Sequence, residues 1–269
     1  MLPTNRLKPN PVRLRPLTLP IIRFLLNDST NLSIKTGESS LDPSGLLLVD
    51  KPSGISSFDI IRILRRQTAV RKIGHAGTLD PAATGLMLML FNKATKQAGQ
   101  LSGLNKRYEA EITLGATSTT GDREGEIIAT DHRRPALSEV AAALHVFTGS
   151  VTQTPSVYSA IKVEGVRAYK LARAGKKVIM PSREVTIHSI KLVSYSFPII
   201  GIEAHVSSGT YIRSLAADVG TYLGTGGYLS RLRRIQVGAF TIASAYQLGE
   251  VQLSTLKKQL VTASDLTKS

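Results

Sequence analysis

The chain has 269 residues, no cysteine, no tryptophan, and 34 Lys plus Arg against 19 Asp plus Glu, a formal net charge of +15. That length allows one or two domains with a real core, and the charge points to a polyanionic partner, most often nucleic acid, because each cation set on a phosphate releases a counterion. The lack of cysteine excludes disulfides, thiolate catalysis and Cys-based metal sites, and no apolar run reaches the about 18 residues of a membrane-spanning helix.

Residues 1–43 stand apart from the rest. The stretch MLPTNRLKPNPVRLRPLTLPIIRFLL is rich in proline and basic residues and carries no acid. It lacks the apolar region and small-residue cleavage site of a secretory signal, and its prolines oppose the amphipathic helix of a transit peptide. It reads as a disordered basic extension, with an RNA-binding arm or a misassigned start as alternatives. The globular pattern begins at Gly45, where GLLLVDK is an apolar run expected as a buried strand. After the turn PSG, Ser56 and Asp59 have capping-box spacing and predict a helix to about Gln67, with Phe58, Ile61 and Leu64 on one side and Arg62, Arg65 and Arg66 elsewhere. Those arginines are either a solvated face or a phosphate-facing patch.

Next comes GHAGTLDPAATG, residues 74–85, followed at once by the apolar LMLMLF, a second buried strand. Pro81 pushes the backbone of Asp80 toward extended conformations, and Gly74, Gly77 and Gly85 allow positive φ or close approach. A carboxylate displayed there can be a nucleophile, a general base or a cap. No second acid lies near for a glycosidase-type pair, no metal-ligand spacing surrounds His75, and no P-loop pattern is present. Further on, KRYEAEITLG alternates: Tyr108, Ala110, Ile112 and Leu114 share one face, and Arg107, Glu109, Glu111 and Thr113 the other. LSEVAAALHVF predicts a helix with Ser138 as N-cap, VTIHSIKLVSYSF and IEAHVSS predict strands, and YIRSLAADVGTYLG has helical spacing. Strands and helices mix without regular βαβ spacing, which argues for an α+β fold around a mixed sheet.

GHAGTLDPAATGLM resembles the signature of the bacterial tRNA pseudouridine-55 synthases, the TruB family. LLLVDKPSGISSFD, KRYEAEITLG, YSAIKVEGVRAYKLARAG, SSGTYIRSLAADVG and GGYLSRLRRIQVGAF follow the family pattern in order, over roughly residues 45–248. The resemblance implies the pseudouridine-synthase fold, with helices flanking a central mixed sheet and a catalytic cleft across it. It implies isomerisation of uridine 55 in the T-loop of tRNA by base flipping and a catalytic aspartate, without metal or organic cofactor. Asp80 matches that aspartate, Arg213 its arginine partner, Tyr108 the tyrosine packed on the target base, and Tyr211 and Leu232 residues lining the base pocket. His75 matches a histidine that helps hold the extruded loop, and Lys162 is a candidate phosphate contact. A bidentate Arg213 fork on Asp80 is expected to favour the carboxylate form. LGATSTTGDREG departs from the family's usual TDT but keeps the later acid, Asp122. The resemblance divides the chain into the extension (1–43), a catalytic domain (44–248) and a short tail (249–269) without a full PUA domain. A cytoplasmic monomer acting on tRNA, with no membrane and no guide RNA, is expected. Two alternatives stay open: a guide-RNA-dependent enzyme acting on ribosomal RNA, and a non-catalytic RNA-binding protein on the same scaffold.

Overall fold

The structure, a computed structural model, describes residues 43–261 apart from 131–132, 159–161, 164, 169–170, 172–173 and 177. The chain opens with β1 (Gly45–Lys51), α1 (Ser57–Thr68), β2 (Ile73–His75) and β3 (Thr84–Phe91). The short α2 (Ala98–Ser102) leads into β4 (Lys106–Leu114), the β5 (Ala116–Ser118) and β6 (Ile127–Ala129) hairpin, α3 (Leu137–Val146) and β7 (Gly149–Gln153). Then come β8 (Lys162–Val163), β9 (Val166–Arg167), β10 (Arg183–Ser196), β11 (Ile199–Val206), α4 (Ile212–Tyr222), β12 (Gly227–Val237), β13 (Phe240–Thr241), β14 (Tyr246–Gln247) and α5 (Leu253–Gln259).

Among the described residues one mixed sheet has the main order β14-β1-β3-β12-β4-β11-β10-β7, with β2 added beside β3 and β13 beside β12. The apolar runs of β1 and β3 are continuous because these strands are covered on both faces. Leu47, Val49, Met87, Met89 and Phe91 face the main core, while Leu46, Leu48, Leu86, Leu88 and Leu90 face a second one. In β4 the alternation is the expected one: Tyr108, Ala110, Ile112 and Leu114 are buried, and the residues between them reach solvent to varying degrees. Their charges pair across strands, Arg107 with Glu203 and Glu111 with Arg231. The α+β architecture with a central mixed sheet is therefore as the sequence implies.

The capping box starts α1: Asp59 N–H donates to Ser56 Oγ at 3.1 Å, and Ser56 N–H donates to Asp59 Oδ2 at 2.8 Å. Ser56 Oγ also donates to Asp59 Oδ2 at 2.6 Å, and this bond, the one from Ser56 N–H and Arg62 hold the Asp59 carboxyl down at about 2. The helix is rotated from the face that was expected. Ser57, Ile60, Ile61, Leu64 and Thr68 are buried, whereas Phe58 is 56% exposed beside Arg62. The i, i+3, i+6 reading drifts off the true stripe, which follows i, i+3, i+4, i+7. The predicted cap of α3 also moves: Ala136, not Ser138, is the N-cap, and its N–H donates to Glu139 Oε2 at 2.7 Å. Packing continues past residue 248, where the sequence placed the end of the catalytic domain. Val251, Leu256 and Leu260 join the main core, and Leu46 and Val261 exchange backbone hydrogen bonds of 2.9 and 2.8 Å.

The last residue of β1 braces the loop between β2 and β3. Lys51 is fully buried, and its Nζ donates to the carbonyls of Pro52, Pro81 and Ala83 at 2.9, 2.9 and 2.6 Å. Burial lowers its pKa to about 8. Lys51→Met would leave these acceptors without their donor. The expected loss is about 2–4 kcal/mol, read as a lower midpoint in urea or thermal unfolding; an unchanged midpoint would show that the brace is dispensable.

Candidate active site

The loop from His75 to Thr84 joins β2 to β3 where β3 meets β12 in a short parallel contact, Thr84 opposite Arg233 and Gly85 opposite Arg234. Asp80–Ala83 is a turn closed by Ala83 N–H donating to Asp80 O at 3.1 Å, with Pro81 in the second position that its fixed φ suits. Ser57 anchors the approach, since its Oγ donates to Leu79 O and accepts from Leu79 N–H, both at 2.9 Å. Lys51 grips the turn from one side. From the other, the buried Arg234 donates from Nε to Leu86 O at 2.7 Å and from Nη2 to Gly77 O at 3.1 Å. Gly77 has φ +97°, and Gly85 combines φ +105° with a position where a Cβ would stand 2.3 Å from Arg234 O. Glycine is required at both. Gly74 lies in β2 without a positive φ, so its expected role is not used.

Asp80 displays its carboxylate toward α4. Arg213, one residue into that helix and 7% exposed, reaches two carboxylates at once: Nε lies 3.2 Å from Asp80 Oδ2, and Nη1 donates to Asp122 Oδ2 at 3.2 Å. Its remaining donors go to Thr120 O at 3.2 Å and Tyr158 O at 3.4 Å. The expected bidentate fork on Asp80 is thus a split fork shared with Asp122. Asp122 is itself buried and fixed by Thr120 Oγ1 at 2.6 Å and Glu124 N–H at 3.0 Å. The balance of charge at Asp80 also differs from expectation. Burial pushes its pKa up, Arg213 pulls it down, Asp122 pushes it up again and Lys51 pulls it down, and the net direction is upward. Desolvation is the largest influence, and the like charge of Asp122 offsets part of the attraction of Arg213.

The remaining candidates fall around this centre to different degrees. Tyr108 is buried on the core face of β4, opposite Ala204 on one side and Arg234 on the other. Leu232, on β12, lines a hollow with Asp80, Ala83, Asp122 and Leu229. The hollow holds about 20 Å³, room for a water. Tyr211 is the N-cap of α4, two residues before Arg213. His75 ends β2 with its Nδ1 buried and without a hydrogen-bond partner, and burial followed by Arg234 lowers its pKa, which favours the neutral ring. Lys162 begins β8, but its side chain lies outside the described residues. Sequence reasoning missed Lys51 and Arg234 as loop braces and Asp122 as a partner of Arg213. The signals for Asp122 were its turn-rich setting, TTGDREG, and its match to the later acid of the family pattern.

A central mixed sheet flanked by helices, with a braced loop aspartate facing a helix arginine, is consistent with the pseudouridine-synthase fold. The profile described as TruB family pseudouridylate synthase (N terminal domain) matches residues 65–212, and that of the tRNA pseudouridylate synthase B C-terminal domain matches residues 213–268. The chain belongs to the TruB family. It is 44% identical over 219 residues to tRNA pseudouridine synthase B of Leifsonia xyli subsp. xyli, covering 78% of this chain and 72% of that one. It is 43% identical over 221 residues to the protein of the same name from Corynebacterium diphtheriae, covering 79% and 74%. Among solved structures, a Cbf5-Nop10-Gar1 complex matches with TM-score 0.65 at 22% identity, over 82% of this chain and 61% of that one. A structure of an H/ACA RNP bound to a substrate RNA containing 2'-deoxyuridine matches with TM-score 0.60 at 20% identity, over 86% and 65%. This chain spans less than two thirds of either, and the likeness to them is one of fold.

A carboxyl whose pKa is higher in the folded than in the unfolded state is a net cost above both values. Asp80→Asn should therefore keep a thermal midpoint no lower than that of the parent while losing pseudouridine formation; activity within tenfold of the parent would remove Asp80 from the chemistry. The acid limb of kcat/KM should lie above the ordinary carboxylate value of about 3.9. In Asp122→Asn one like charge is gone and Arg213 is released to Asp80, so the limb should move to lower pH. A limb that stays or rises would mean that Asp122 does not act on Asp80.

Proposed function

We propose that this chain isomerises uridine 55 in the T-loop of tRNA to pseudouridine. The observation that carries the reading is the Asp80–Arg213 ion pair, set on a loop that Lys51 and Arg234 grip by its own carbonyls. The family assignment supports the reaction, and the names of the two bacterial relatives support tRNA as the substrate. In the reaction the C1′–N1 bond breaks, the base turns, and a C1′–C5 bond forms; C5 loses a proton and N1 gains one, so no atom is added or lost overall. Asp80 can begin by attacking the sugar or the base, or by taking a sugar proton, and each route starts from the ionised carboxylate. Arg213 and Lys51 both favour that form against the cost of burial. The uridine must leave its stack, at a cost of a few kcal/mol, which phosphate contacts from a chain of net charge +15 can offset.

The test is incubation of the protein with an unmodified tRNA transcript, followed by mapping of pseudouridine. Product at the T-loop uridine alone is the expected result. Product only on ribosomal RNA in the presence of a guide, or binding without product, would overturn the reading. Arg213→Lys keeps a charge but cannot span Asp80 and Asp122 together. Its turnover should fall by roughly a hundredfold, and unchanged turnover would mean that the shared fork is not needed.

A further inference from the structure

The residue that faces Tyr211 has an unusual set of partners. Arg183 begins β10 opposite Gln153 of β7, and its guanidinium lies over the Tyr211 ring with Cζ 4.5 Å from the centroid. Gln153 fixes the backbone beneath that ring: it donates from Nε2 to Tyr211 O at 3.2 Å and accepts from Tyr211 N–H at 2.9 Å. Nη1 of Arg183 rests against Gly209, where a Cβ would stand 3.3 Å away and φ is +84°. Nε and Nη2 are buried, and neither has a hydrogen-bond partner. These two N–H groups point from the same edge of the guanidinium, the edge that grips two oxygens of a carboxylate or phosphate in parallel. Arg213 and Arg234, by contrast, place both Nη groups on acceptors. Among the described residues no carboxylate pairs with Arg183. The neighbouring Glu184 projects to the opposite face of the strand and accepts from Ser150 Oγ at 3.0 Å.

A half-buried guanidinium whose bidentate edge is itself buried and unpaired is a costly arrangement that native structures seldom keep without a ligand. We propose that the Nε/Nη2 edge of Arg183 is a subsite for one backbone phosphate of the substrate RNA, adjoining the nucleotide that Tyr211 lines. The subsite rests on the proposed RNA reaction and adds to it the point at which the strand is held. Stacking on Tyr211 fixes the plane of the fork before the ligand arrives. Because Tyr211 is the N-cap of α4 and Arg213 follows two residues later, one short turn sets the distance from the captured phosphate to the Asp80 centre. Phosphate capture then places the flipped base in register with the reacting carboxylate.

The probe is a T-arm stem-loop RNA, intact or carrying a single neutral methylphosphonate at each linkage around the target uridine in turn. Arg183→Gln should weaken binding of the intact RNA by roughly tenfold or more, with KM rising by more than kcat falls, and should make the log–log salt slope shallower by about one. Arg183→Lys should recover the slope and only part of the affinity. For the wild-type protein one linkage should be sensitive to neutralisation, and Arg183→Gln should be indifferent at that same linkage. If Arg183 merely props Tyr211, kcat falls, the salt slope stays and the two proteins share the same linkage sensitivities, which overturns the subsite. Thermal midpoints of both variants separate these outcomes from misfolding, and Arg183→Lys tests the fork even if Arg183→Gln unfolds. Turnover of the intact RNA by the wild-type protein is scored separately. Absent turnover with a linkage-specific binding defect overturns the reaction and keeps the subsite, while turnover with uniform linkages does the reverse.

Discussion

Two buried cations that bind main-chain carbonyls hold this site together. Lys51 and Arg234 approach the loop from β1 and from β12, and between them they take the carbonyls of Gly77, Pro81, Ala83 and Leu86. Taking such groups out of water is costly, and burial duly lowers the pKa of Lys51 to about 8. The carbonyls repay part of that cost as strong acceptors without adding a second net charge. A carboxylate in their place would have neutralised the cations and crowded Asp80 with another acid. With carbonyls as ligands, the positive charge of Lys51 remains available to favour ionised Asp80.

Around Asp80 the electrostatics are a contest, and their order decides the chemistry. Burial is the largest influence and opposes the charge, while Arg213 is the largest one favouring it. Sharing Arg213 with Asp122 leaves one cation between two acids, which positions the guanidinium firmly and neutralises Asp80 incompletely. A carboxylate so placed is less stabilised than a simple ion pair and correspondingly more ready to react or to accept a proton. The cross-strand pairs on the other face of the sheet, Arg107–Glu203 and Arg231–Glu111, are partly exposed, Arg231 the most. Such pairs contribute about 0–1 kcal/mol each, so they serve to keep that face soluble and in register more than to stabilise the fold.

Much of the architecture was legible because its signals are local. The Ser56–Asp59 capping box, the alternation in β4, the doubly buried runs of β1 and β3 and the Asp80-Pro81 turn each follow from residues a few positions apart, whose spacing alone fixes which groups can meet. Where local spacing was ambiguous, packing decided. Phe58 fits one apolar stripe as well as Ile60 does, and only the position of the sheet beneath α1 selects Ile60. Glu139 can close a cap on Ala136 or follow Ser138 within the helix, and the path of the chain entering α3 selects the first.

The sequence by itself determined β1, β3, β4, β10, β11 and the three longer helices, the loop that carries Asp80 and, through the ordered motifs, the family. The motifs singled out Arg213, but the sequence did not separate Arg183 and Arg234 from the chain's other arginines, which as residues are chemically identical. Tertiary structure made one a carbonyl brace, one a bridge between two carboxylates and one a fork with an unpaired edge. The physical reason is that an arginine's role is set by the acceptors placed around its five donors. Here those acceptors come from strands and loops distant in the chain, brought together only when the sheet closes.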